Sequence, residues 1–374
     1  MTIDEQHMRR ALDLARAGVG LVSPNPAVGA VLIDAKGREV GTGSHTYDGV
    51  KHAEVLALKQ AGRAAQGGIL YINLEPCSHQ GRTPPCADAV IAAGISRVVC
   101  SMEDPNPQVA GRGFAKLKAA GINVVVGLLE SDAKKLNESF AQYIRHGKPL
   151  VTLKSAMSLD GKIAPAPASA KNVRTRDRWI TGEAARAHVQ TLRHQNDAIL
   201  VGVGTVIADD PLLTDRSGLL RRRKLLRVIL DSLLRIPLES KIIRSAENDV
   251  LIICSTPNLS ARLALEEKGI RVHQVSSGSD GRPEFAALLQ FLGKMEIASL
   301  IIEGGSSVNS AALASGEVDK LFLYYAPKIL GGTAVPFIAG EVTNSASRCL
   351  QQLELHRFED DFAVEGYLSD PYSR

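Results

Sequence analysis

The chain has 374 residues, long for one compact domain and comfortable for two. Its 44 Lys and Arg nearly balance 40 Asp and Glu, and the surplus is shared: residues 1–147 hold 16 basic against 14 acidic side chains, the remainder 28 against 26. An unpolarised charge of +4 with only 4% aromatic residues argues against a nucleic-acid binder, which needs a basic groove and stacking rings.

Helix and strand then alternate along the chain. A helix is predicted from Asp4 to Ala17, with Ala11, Leu12 and Ala15 on one face and Gly18 as its stop. A strand from Val28 to Ile33 turns at Lys36-Gly37 into a partner near Val40. A helix from Ala53 to Ala61 follows, with His52 and Glu54 at its start. Further strands are predicted at 69–73, 97–101 and 123–126, and helices at 87–93 and 114–120. This first α/β unit ends near residues 138–143, and Arg145-His146-Gly147-Lys148-Pro149 reads as a linker. The expected division is therefore 1–146 and 147–374.

A fresh α/β pattern begins at Leu150. Strands are predicted at 151–155, 198–201, 227–230, 249–254, 272–275, 300–302 and 320–325, with helices at 182–194, 260–268 and 283–294. The segment from Ala164 to Asn172 is poor in apolar bulk and reads as a mobile loop. Five cysteines, an odd number, argue for a reducing compartment and against a disulfide framework. The N-terminal stretch lacks a charged n-region and apolar h-region, and no apolar run reaches the length of a membrane span. A cytoplasmic protein is expected, without a membrane or nucleic-acid partner, and assembled as a homo-oligomer.

The densest chemistry lies at His52-Ala53-Glu54, Pro76-Cys77 and Cys86. These residues supply three zinc ligands and leave one coordination position open, with a carboxylate two residues from the first ligand to shuttle protons. H-x-E with P-C-x-x-C is the signature of zinc nucleobase deaminases. Here eight residues, not two, separate the cysteines. A closed structural zinc site is the alternative. It needs a fourth ligand, and the nearby His79 and Cys100 fall at no finger-like spacing; it also leaves Glu54 without a role. A strand ending at Glu75 is expected to deliver Cys77 to a helix start, where the dipole favours a thiolate.

The second half offers softer signals. Gly202-Val203-Gly204-Thr205 follows an apolar strand, but Ile207 stands where a dinucleotide fingerprint needs a third glycine. Glu303-Gly304-Gly305-Ser306-Ser307 also follows a strand and precedes a helix-compatible stretch at 308–313, a pattern that binds phosphate through free N–H groups. Asp209-Asp210-Pro211 is either a ligand-facing pair or turn and capping chemistry. Trp179 either fills core or flanks a ligand. Arg221-Arg222-Arg223-Lys224 is either a phosphate site or a solvated loop.

Together these residues resemble one family, the bifunctional riboflavin-biosynthesis enzymes in which a pyrimidine deaminase is fused to a pyrimidine reductase. In the first half the likeness rests on Pro24-Asn25-Pro26-Ala27-Val28-Gly29, Gly41-Thr42-Gly43-Ser44-His45, the zinc motif with its eight-residue gap, Gly81-Arg82-Thr83-Pro84-Pro85 and Asp104-Pro105-Asn106-Pro107. In the second it rests on Lys154-Ser155-Ala156-Met157-Ser158-Leu159-Asp160-Gly161, Trp179-Ile180-Thr181, Asp209-Asp210-Pro211-Leu212-Leu213-Thr214 and Glu303-Gly304-Gly305. The resemblance implies a cytidine-deaminase-like α/β/α domain followed by a dihydrofolate-reductase-like α/β domain. It implies zinc on His52, Cys77 and Cys86, Glu54 as proton shuttle, and a pyrimidine pocket lined by Asn25, His45 and His79. It further implies NADPH at Ala156, Trp179, Thr205, Asp209, Ser232, Gly305, Ser306 and Ser307. Substrate contacts would come from Arg193, Leu213, Arg216 and Glu303, with Arg193 or Arg216 suited to the substrate phosphate. The loop Ala168–Arg178 departs from the family: it is longer and more basic, with Asp177 and Arg178 where small or amide side chains are usual.

Overall fold

A computed structural model describes residues 1–49, 51–79, 84–166, 179–340 and 349–373. It separates into two compact units, Met1–Gly147 with Leu220–Arg222, and Lys148–Leu219 with Arg223–Arg374. The departing loop at 168–178, and the Gly81-Arg82-Thr83 part of the first-half motif, lie outside the described residues.

The first unit is built on a sheet of order β2-β1-β3-β4-β5, from β1 (Gly29–Ile33), β2 (Glu39–Ser44), β3 (Ile69–Leu74), β4 (Arg97–Met102) and β5 (Asn123–Val126). β1 pairs antiparallel with β2 and β3, whereas β3, β4 and β5 run parallel. Parallel neighbours need helical crossovers, and α3 (Cys86–Ala92) and α4 (Arg112–Ala119) supply them. Helix α1 (Ile3–Ala17) begins with a reciprocal cap: Glu5 N–H donates to Thr2 Oγ1 at 3.2 Å, and Thr2 N–H donates to Glu5 Oε2 at 2.7 Å.

Helix α2 (Ala53–Ala61) lies directly on β2 because Gly41 and Gly43 carry no side chain. A Cβ at Gly43 would sit 1.9 Å from the Ala53 carbonyl oxygen, and one at Gly41 would sit 2.2 Å from that of Ala57. The glycines of β2 therefore set where α2 starts. Asn73 and Asn137, both fully buried, hold the preceding loop: Asn137 Oδ1 accepts from Ala27 N at 2.8 Å, and Asn73 Nδ2 donates to the Ala27 carbonyl at 2.9 Å.

After β5 come two helices that the sequence does not announce, α5 (Glu130–Leu136) and α6 (Glu138–His146). α6 runs through Arg145 and His146, so the expected linker shrinks to residues 147–149, and Gly147, with a φ of 67°, ends the helix in the left-handed region. Cys77 itself lies in no helix, because α3 begins at Cys86.

In the second unit nine strands form a sheet of order β11-β10-β9-β8-β12-β6-β13-β16-β15 among the described residues. These are β6 (Leu150–Ser158), β8 (Ala198–Gly202), β9 (Leu226–Leu230), β10 (Val250–Cys254), β11 (Arg271–Gln274), β12 (Ser299–Ile302), β13 (Lys320–Ala326), β15 (Gln351–Phe358) and β16 (Asp361–Tyr367). Pairing is parallel from β11 across to β13, then antiparallel to β16 and β15. Alternation divides the apolar side chains between two cores. Ile199, Val201 and Ile301 face helix Glu183–Gln195 through Val189 and Leu192, whereas Leu200, Leu300 and Ile302 face helix Phe285–Lys294 through Leu288 and Leu292. Both faces being covered explains why these strands read as unbroken apolar runs.

β7 (Lys162–Ala164) pairs with β14 (Val335–Pro336), so the expected loop from Ala164 onward begins in a short ribbon. The residues after β8, Val203–Asp209, form a helix, and the helix expected near Val308 runs Ser306–Ser315. Among the described residues, no helix is long and apolar enough to cross a membrane.

Candidate active sites

In the first unit, His52 is the residue that precedes α2 and Glu54 lies in its first turn. Cys77 sits in the loop after β3, and Cys86 opens α3. Their donor atoms converge: His52 Nδ1 is 3.1 Å from Cys86 Sγ and 3.6 Å from Cys77 Sγ, and all three lie within 4.8 Å of one another. Zinc bonds of about 2.0–2.3 Å in a tetrahedron hold ligand atoms about 3.3–3.8 Å apart, so the set fits zinc. The Cys86 N–H points at Cys77 Sγ at 3.3 Å. Cys77 therefore meets a helix start after all, as the acceptor of its first amide. That thiol loses its proton first, with a pKa of about 4, because Cys86 donates to it and His52 lies beside it. Cys86 is pushed the other way by the Cys77 thiolate. Burial raises the pKa of Glu54, which is only 3% exposed.

A cavity of about 230 Å³ opens on these groups. That is room for the heterocyclic ring of a ligand, smaller than the about 300–1,000 Å³ of most whole-ligand clefts. All three residues expected for the pyrimidine pocket line it: Asn25, His45 and His79. His45 Nδ1 donates to the Lys51 carbonyl at 3.1 Å, which leaves Nε2 to accept from Asn25 Nδ2 at 3.1 Å. Burial keeps that imidazole neutral by lowering its pKa. The sequence reading missed Asp104, Asn106 and Phe140 on the same wall. The polar pair stands in a quoted motif, but Phe140, on α6, gave no local signal.

The second unit has a larger cavity, about 890 Å³, along the carboxyl ends of β6, β8 and β12. It is lined by Ala156, Trp179, Thr205, Asp209, Gly305, Ser306 and Ser307 of the expected cofactor set, and by Arg193, Leu213, Arg216 and Glu303 of the expected substrate set. Ser232 does not line it. Its carbonyl instead accepts from Thr256 N at 3.0 Å, beyond the end of β9. A Cβ at Gly304 would meet Val308 at 2.7 Å, so helix Ser306–Ser315 rests against a backbone that tolerates no side chain. Gly305, at its N-terminus, offers no side-chain cap, which leaves amide donors for an anionic ligand. The cavity and this cradle fit a phosphate-bearing dinucleotide.

Glu303 is the centre of the polar wall. Arg193 grips it through Nε to Oε1 at 2.8 Å and Nη2 to Oε2 at 3.0 Å, while Lys154 Nζ lies 3.3 Å from Oε2. Burial works to raise this carboxyl, but Lys154 and Arg193 outweigh it and hold the pKa at about 2. Arg193 also donates through Nη1 to the Thr214 carbonyl at 3.0 Å. Its fork is thus turned to the protein, and of the two arginines expected for the substrate phosphate it is the less suited. Arg216 is exposed where it lines the cavity. Lys154 was quoted only as part of a motif, though a lysine inside a buried strand already signals a partnered charge.

Both halves of the chain match known proteins. Residues 1–102 match the model of the cytidine and deoxycytidylate deaminase zinc-binding region, and residues 149–364 match that of the RibD C-terminal domain. The chain is 43% identical over 329 residues to a riboflavin biosynthesis protein RibD of Aquifex aeolicus, covering 88% of each chain. It is 41% identical over 342 residues to the RibD of Escherichia coli, covering 88% of this chain and 89% of the relative. Among solved structures it is similar to Acinetobacter baumannii RibD, with a TM-score of 0.82 and 37% identity over 97% of this chain and 98% of that one. It is also similar to the diaminohydroxyphosphoribosylaminopyrimidine deaminase/5-amino-6-(5-phosphoribosylamino)uracil reductase of Thermotoga maritima, with a TM-score of 0.79 and 34% identity over the same shares. The chain therefore belongs to the RibD family, a zinc-binding deaminase unit followed by a reductase unit, both serving riboflavin biosynthesis.

Proposed function

We propose that the first unit hydrolytically deaminates 2,5-diamino-6-(5-phosphoribosylamino)pyrimidin-4-one, and that the second reduces the ribosyl group of the product to ribityl with NADPH. The observation that carries the first half is the approach of His52 Nδ1 to two thiols, with Glu54 in the adjoining helical turn. Zinc held by those three residues would supply the Lewis acidity that makes water nucleophilic near neutral pH. Glu54 takes the proton of the attacking water and passes protons to the ring nitrogen and the leaving amine. Burial raises its pKa, which makes it a stronger base toward that water. Asn25 and His45, locked to one another, present a fixed edge to the ring. His79 lines the same pocket at its exposed side.

In the second unit NADPH supplies the hydride. The Gly304-Gly305 turn and the amide groups at the start of helix Ser306–Ser315 would hold its phosphates, with Thr205 and Trp179 on the same cavity. Arg216 suits the substrate phosphate. Glu303, kept ionised, acts only as an acceptor, which orients hydroxyl or ring N–H groups of the substrate. The five thiols, none in a disulfide, suit a reducing compartment such as the cytoplasm.

The test is one tube of zinc-loaded protein given the diaminated substrate and NADPH, with ammonia and NADPH oxidation followed together. Ammonia first and oxidation second is the expected result. Neither signal would overturn the substrate assignment, and ammonia alone would overturn the reductase half.

A further inference from the structure

Glu75 is a carboxylate that the chemistry above leaves without a task. It follows β3, is 5% exposed, and both its oxygens are occupied by backbone. Oε1 accepts from Gly113 N at 2.7 Å and Phe114 N at 3.2 Å; Oε2 accepts from Gly111 N at 2.9 Å and Asp104 N at 3.1 Å. Gly111, the residue preceding α4, has no capping side chain, so Glu75 caps that helix from 36 residues away.

These four bonds join two sides of the deaminase cavity. On one side the chain runs from Glu75 through Pro76 to Cys77, a zinc ligand in the reading above. On the other, Asp104 and Asn106 line the wall, and Asp104 Oδ1 accepts from Asn106 N at 2.9 Å. The first turn of α4 is clamped to the ligand-bearing segment: a Cβ at Gly113 would sit 2.0 Å from the Pro76 carbonyl oxygen. We propose that Glu75 is a positioning residue for deamination, one buried carboxylate that sets the separation between Cys77 and the Asp104–Asn106 wall that receives the far edge of the ring. It acts through those groups rather than on the reacting atoms. The inference rests on the deaminase reading.

Glu75→Gln is the direct probe. An amide keeps one accepting oxygen and turns an NH2 toward two N–H donors, so half the anchor becomes repulsive. Deamination kinetics, zinc content and reductase rate are measured on the full chain beside the unsubstituted protein. The expected result is a KM raised about tenfold or more, kcat little changed, one zinc retained and the reductase rate intact, the pattern of lost binding rather than lost chemistry. Asn106→Ala is combined with it. If Glu75 works through the wall, the two KM effects fail to multiply, as for residues acting on one contact.

Unchanged KM in Glu75→Gln, or KM effects that multiply fully with Asn106→Ala, would overturn the inference. Should Glu75→Gln lose zinc and fold together, Gly113→Ala decides, because it forces the same two segments apart with the carboxylate intact. A raised KM with zinc retained supports the positioning role; an unchanged KM overturns it. Absence of ammonia from the unsubstituted zinc-loaded protein would overturn the deaminase reading itself, and this inference with it.

Discussion

Arg193 and Glu303 form two parallel hydrogen bonds in the wall of the reductase cavity, at 2.8 Å and 3.0 Å, and neither side chain is more than 11% exposed. Fork-to-fork pairing is the strongest geometry these groups have. Removing one partner strands the other, so Arg193→Ala is expected to destabilise the second unit by about 3–5 kcal/mol and abolish reduction. Denaturant unfolding monitored through the single tryptophan checks the first, and NADPH oxidation the second. An Arg193→Lys variant keeps the charge but loses the fork, and is expected to fall between.

The same pair makes a pH prediction. Glu303 is depressed from 4.5 to about 2, so its ionic contribution is complete above pH 4.5 and disappears as pH falls through about 2. The destabilisation caused by Glu303→Gln at neutral pH is therefore expected to shrink across that window. A gap that stays constant on acidification would mean that the carboxylate is not ionised against Lys154 and Arg193.

Glu54→Gln preserves shape but cannot carry a proton. Deamination is expected to fall by about 10²–10⁴-fold, the usual worth of a positioned acid–base group. Zinc content and the reductase rate should stay at the unsubstituted level. Ammonia release and metal analysis on one preparation check both, and near-normal ammonia release would remove Glu54 from the proton path.

Cys86→Ser should lose zinc and deamination together. Cys86 is fully buried, and its backbone also supplies the N–H that Cys77 Sγ accepts. Chelator treatment of the unsubstituted protein should reproduce the deaminase loss, reversibly, without touching NADPH oxidation when the deaminated product is supplied directly to the second unit.

Gly304→Ala places a methyl group 2.7 Å from Val308, at the cradle under the helix start. Overpacking of this kind costs about 1–3 kcal/mol. A raised KM for NADPH is the expected kinetic signature, read from initial rates at saturating substrate.

Much of this was legible in residues alone. β8, β10 and β12 announce themselves as apolar runs because both faces of the sheet are covered, and β9 does so apart from Arg227, which is buried against Asp249. β15 did not, because Gln351-Gln-Leu-Glu-Leu-His-Arg-Phe358 lies at the sheet edge, mostly exposed, and its polar content hides the strand. The helix Val203–Asp209 leaves no clear pattern because Gly202 and Gly204 stand at its start and it buries only Val203 and Val206. The cluster of His52, Cys77 and Cys86 was visible because metal chemistry needs rare residue types at close spacing. Phe140 was invisible because it reaches its pocket through tertiary packing, which leaves no local pattern.

His52 immediately precedes α2 and Glu54 lies in its first turn, so the two move together with that helix. Whatever displaces α2 on its bed of Gly41 and Gly43 carries metal ligand and proton carrier along together, preserving their mutual spacing. Cys77 and Cys86 arrive on separate segments and do not follow. Drift in β2 is thus felt first as weakened metal retention, while the water-to-base geometry survives. A lineage accumulating changes in that strand would shed metal affinity before it lost the arrangement for moving protons, and added zinc would restore its activity.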